Sequence, residues 1–116
     1  MAKTKKSDFK FFQKCAESLI DILGIKQWDI DFVHQPANPG DAAWCSTNLE
    51  GMVAEIGLAD EWSMPITEDT LRRMARHEVF ELFLAEMDDL ARMRFLAEDR
   101  LNAARHRVIQ TLLNIM

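Results

Sequence analysis

The segment 76–84, RHEVFELFL, sets three ionisable side chains, His77, Glu78 and Glu81, in an otherwise apolar run. Unpaired charges are seldom buried, so these residues either line a wet face or serve something the fold requires. On a helix, His77 and Glu81 stand one turn apart on the same side, with Glu78 beside them. Two coordinating side chains at that spacing are half of a metal site. The familiar form is H-E-x-x-H, in which two histidines bind zinc and the glutamate polarises the attacking water. Here Glu81 fills the second ligand place, giving H-E-x-x-E. Zinc accepts carboxylate oxygen as well as imidazole nitrogen, and two histidines with one glutamate form an established catalytic set. That set needs one more histidine, and the chain has two others, His34 and His106. A solvated helix face is the plain alternative for the same three residues.

The elements that must position these groups are legible from periodicity. Apolar residues at Phe9, Phe12, Ala16, Leu19, Ile20 and Leu23 predict a helix over 7–23, with Ser7 or Asp8 as cap and Gly24 as the stop. In WDIDFVH, Trp28, Ile30 and Phe32 alternate with Asp29 and Asp31, the period of a half-buried strand. Pro36, Asn38, Pro39 and Gly40 break the chain. A second strand within 42–49 and a third in MVAEIGL, 52–58, are expected to pair as a hairpin across 48–51. Thr67 can cap a helix whose first turn holds Glu68 and Asp69, and this helix is expected to run to about Met87. The stretch 88–97 reads either as a loop or as a continuation. A last helix over 98–115 carries Leu101, Ala104, Val108 and Leu112 on one stripe, with His106 on a mixed face. His34 ends a strand, where a hydrogen-bonded, partly buried role is expected. The order, one helix, three strands and two helices, predicts a single small α+β domain over 1–116.

Composition narrows the function classes. The chain has 116 residues, 48% hydrophobic, enough for one genuine core. A net charge of −5 argues against nucleic-acid binding through phosphates. Lys3, Lys5 and Lys6 form the one dense basic cluster, expected to be a short solvated arm. Cys15 and Cys45 lack CxxC spacing and fit a reduced, cytoplasmic protein better than a disulfide framework. No signal-peptide core or membrane span is seen.

With these residues in hand, the chain resembles the very small zincin-like metallopeptidases common in phage and prophage genomes. The resemblance spans most of the sequence: the N-terminal helix, a strand opening on Trp28, the strand MVAEIGLADEW, ITEDTLRRMARHEVFELFLAEM as active-site helix, and AEDRLNAARHRVIQTLLN. It implies a zincin-like fold and zinc-dependent hydrolysis of a peptide or protein substrate. His77 and Glu81 would be the helix ligands, His106 the distal ligand and Glu78 the general base. The strand 52–58 would resemble the edge strand on which zincins align an extended peptide by strand addition. On that basis His77, Glu81 and His106 are expected to converge within about 4 Å of one another, even without metal.

Two other metal readings fall behind. The facial triad of non-haem iron oxygenases uses the same ligand types but normally sits in a β-rich barrel. Di-iron bundles need E-x-x-H pairs, which do not occur here. The rival of a different class is a non-catalytic interaction protein, with His77, Glu78, Glu81, Arg73 and Arg76 forming a charged surface.

Overall fold

The computed structural model describes residues 2–91 and 98–115. In chain order the elements are β1 (Ala2–Lys3), α1 (Lys6–Leu23), β2 (Asp29–Gln35), β3 (Ala43–Asn48), β4 (Val53–Ala59), β5 (Glu61–Trp62), α2 (Glu68–Ala91) and α3 (Glu98–Asn114). This is an α+β arrangement, as expected, with two short strands that the periodicity did not reveal. Within the stretch that read two ways, residues 88–91 continue α2, while 92–97 lie outside the described residues. No described helix is long and apolar enough to cross a membrane.

The N-cap of α1 lies two or three residues before the expected Ser7 or Asp8. Lys5 is the N-cap, and its backbone N–H donates to the Asp8 carboxylate at 2.8 Å, so Asp8 serves from inside the first turn. Gly24 ends the helix in the left-handed region at φ 70°, where a side chain would be strained. The Lys-rich start is not a loose arm. Thr4 is buried, its N–H donates to Asp60 O, and β1 pairs antiparallel with β5.

The main sheet has the order β2-β4-β3. β3 and β4 form the expected antiparallel hairpin, while β2 runs parallel to β4 on its other side. The central strand is therefore β4 and the edges are β2 and β3. This corrects the edge role expected for residues 52–58: the chain leaves β2, crosses to the far position as β3, and returns through the middle. Ile30, Phe32, Cys45, Ala54, Ile56 and Leu58 share one face by register, and Ile56 and Leu58 are fully buried in the core with Phe12, Ala75, Val79 and Leu82. On the opposite face Trp44 lies against Gly57, directly across the ladder, and its indole N–H donates to Glu55 at 2.8 Å.

Candidate metal centre

α2 is fixed at its start by a reciprocal cap. Thr67 Oγ1 accepts from the Thr70 backbone N–H at 3.1 Å, and Thr70 Oγ1 accepts from the Thr67 N–H at 2.9 Å. From there the helix buries Leu71, Ala75, Val79, Leu82 and Ala85. The positions 71, 75, 78, 82 and 85 follow one inward seam at alternating spacings of four and three. The residue at its centre is Glu78. A carboxylate thus occupies a core position, 6% exposed, flanked along the seam by Ala75 and Leu82.

His77 and Glu81 sit on the neighbouring, outward side of the helix. His77 Nε2 lies 3.3 Å from Glu81 Oε1 and 4.0 Å from Glu78 Oε1. Their side chains are 63% and 58% exposed, so the pair faces open solvent rather than the enclosed cleft that so apolar a segment suggests. The other oxygen of Glu78, Oε2, is buried and, among the described residues, has no hydrogen-bond partner. Such an atom costs stability unless something meets it. Burial pushes the Glu78 carboxyl up to about 6; His77 works against the shift, and Glu81 and Asp41 add to it.

The sheet contributes one further group. Cys45, on the inward face of β3, is half-buried and free. Burial pushes its thiol up to about 12, with the charges of Glu78 and Glu81 reinforcing the shift. Cys45 and Asp41 are thus electrical neighbours of Glu78. Sequence spacing gave no sign of Asp41, which lies in the Pro- and Gly-rich break.

The other histidines divide as follows. His34 Nε2 is 2.7 Å from Thr4 Oγ1, which itself donates to Ala59 O, so the histidine is the donor in this pair. Its ring stacks on Phe9 at 5.1 Å, which gives it the structural role expected of it. His106 is exposed on α3. Ala104 marks the buried side of that helix, and two residues turn the chain about 200°, so His106 points nearly the opposite way. Among the described residues no three His, Cys, Asp or Glu side chains are gathered as a metal-holding group. The expected convergence of His77, Glu81 and His106 is therefore not present, whereas the His77–Glu81 half of it is. His77 and Glu81 are donor types that zinc accepts. No family model matches the chain, and neither a curated protein nor a solved structure matches it.

Proposed function

We propose that the chain is a zincin-like, zinc-dependent peptide hydrolase of the cytoplasm, with Glu78 as its general base. The observation that carries this reading is the buried Glu78 carboxylate, one oxygen unpartnered, beside the 3.3 Å His77–Glu81 pair. A fold that gained nothing from Glu78 would place an apolar residue at that seam position. His77 and Glu81 would hold the cation, and His106 would complete three protein ligands if α3 turned it inward. A divalent cation bound there supplies Lewis acidity toward a carbonyl and makes an attached water more acidic. Glu78 would take the proton of the attacking water and pass it to the leaving amine. An acid pushed up to about 6 is ionised at neutral pH yet has more proton affinity than an ordinary carboxylate. The free edge β3, beside α2, would take an extended peptide by strand addition.

A second reading follows from the exposed His106. On it, the same scaffold is a non-catalytic interaction protein that keeps a vestigial or structural cation pair. Zinc titration followed by an assay on an unfolded protein separates the two. The hydrolase reading expects one zinc per chain, a raised melting temperature and cleavage abolished by Glu78→Gln with zinc retained. Zinc bound without cleavage supports the second reading. A protein that takes up no zinc, with a melting temperature indifferent to it, overturns both.

A further inference from the structure

The outward face of α2 carries more than the His77–Glu81 pair. Arg73, Arg76, His77 and Phe80 fall within about 100° of arc around the helix axis, one turn apart or less. With Asp69 and Arg72 they line a surface hollow of about 410 Å³. Arg72 is already engaged, 3.1 Å from Asp69 and 5.5 Å from the Phe11 ring. Arg73 and Arg76 are exposed, and among the described residues neither has an acidic partner. The chain has 19 acidic and 14 basic residues, so two neighbouring arginines outside any described ion pair run against its overall balance. Beside them Phe80 is 46% exposed, a large apolar ring held at the surface.

We propose that Arg73 and Arg76 bind a carboxylate of the peptide substrate, with Phe80 covering the apolar side chain next to it. Guanidinium groups match carboxylates in fork geometry and lose little order on pairing. Arg73 lies four residues before His77, about 6 Å along the axis. An extended peptide advances about 3.3 Å per residue. The anchored carboxylate therefore sits about two residues from a bond held at the level of His77. That reach suits a free C-terminus or an acidic side chain, both of which present the same group. The assignment rests on the hydrolytic reading for its purpose, but its test needs no turnover.

The probes are an acetylated short apolar peptide as free acid, the same peptide as its amide, and the amide with one glutamate. Binding to the full chain is followed by calorimetry at low salt, with and without zinc. The free acid, the glutamate amide or both are expected to bind at least about tenfold tighter than the plain amide, the worth of one charge-assisted contact. Which of them gains identifies the source of the carboxylate. The double variant Arg73→Gln/Arg76→Gln should erase the preference, and Arg73→Lys/Arg76→Lys should restore part of it. Both positions are exposed, so the folded state is expected to survive, as the melting temperature checks. Equal binding of all three peptides, no binding of any, or a preference that persists in the Gln variant overturns the proposal. A preference that appears in a protein unable to bind zinc or cleave peptides leaves the carboxylate site standing and removes the hydrolase.

Discussion

Glu78 is the residue at which the fold accepts a cost, and its position makes the cost measurable. Its carboxyl, pushed up from 4.5 to about 6, binds a proton more readily folded than unfolded. Between those values the folded state holds more protons, so in metal-free protein this group's contribution to stability falls as pH rises through about 6 and is restored on acidification toward 4.5. Glu78→Gln should therefore stabilise the metal-free protein at pH 7 to 8 by on the order of 1 kcal/mol. The gain should shrink toward zero near pH 4.5, as urea unfolding at several pH values will show. A variant destabilised at neutral pH would mean that the carboxylate is satisfied after all. Cys45 gives a second test of the same charges. A thiol pushed up to about 12 stays protonated at neutral pH, and the thiolate is the nucleophile. Cys45 should alkylate at least about tenfold more slowly than an ordinary free thiol at pH 8. Glu81→Gln should speed it, as read by peptide mapping and mass spectrometry. The spacing of His77, Glu78 and Glu81 was legible in the sequence. That Glu78 alone turns inward was not, because it depends on which of several apolar seams meets the sheet.

At the scale of elements, periodicity marks the longer helices and strands, whereas long-range pairing leaves little trace in the sequence. The hairpin of β3 and β4 follows from two short strands about a tight turn, while the parallel pairing of β2 with β4 leaves no mark in either strand's alternation. The two-residue strands β1 and β5 are too short for any period, and their pairing depends on Thr4 being buried. One residue pair holds the edge strand in place on the outer face. A Cβ added to Gly57 would come within 2.1 Å of the Trp44 indole carbons, so the ring must leave and its bond to Glu55 break. This is an aromatic side chain covering a cross-strand glycine, a device that pins register. Gly57→Ala is expected to cost about 1–3 kcal/mol, as overpacking does. Adding Trp44→Ala should cost less in the Gly57→Ala background than alone, a coupling that a double-mutant cycle in urea measures. Additive effects would show that the indole does not depend on the glycine.

At the scale of the whole molecule, α3 is the helix with the fewest buried residues among those described. α1 and α2 bury their seams in the shared core, but α3 buries Ala104 alone and leaves Ile109, Leu112 and Leu113 exposed. On the helix, Ile109 and Leu113 lie within about 60° of His106, on the side turned away from the core. On α2, Leu84 is 51% exposed one turn beyond Glu81, and both line a hollow of about 440 Å³. For His106 to face the His77–Glu81 pair, α3 would have to turn about its axis and give up the buried Ala104 contact. Few buried contacts make a helix the element most ready to change position, and a cation that binds the turned form more tightly shifts the population toward it. Zinc is therefore expected to slow amide exchange in α3 while leaving α1 unchanged. His106→Ala should remove that protection and weaken zinc at least about tenfold, the difference between three protein ligands and two. His34→Ala should leave both readings alone, since His34 is held by Thr4 and Phe9. If zinc protects no part of α3, or His106→Ala binds zinc as tightly as the parent chain, His106 is not a ligand. Cys45→Ala then becomes the deciding variant, because Cys45 is the remaining soft donor electrically coupled to both glutamates.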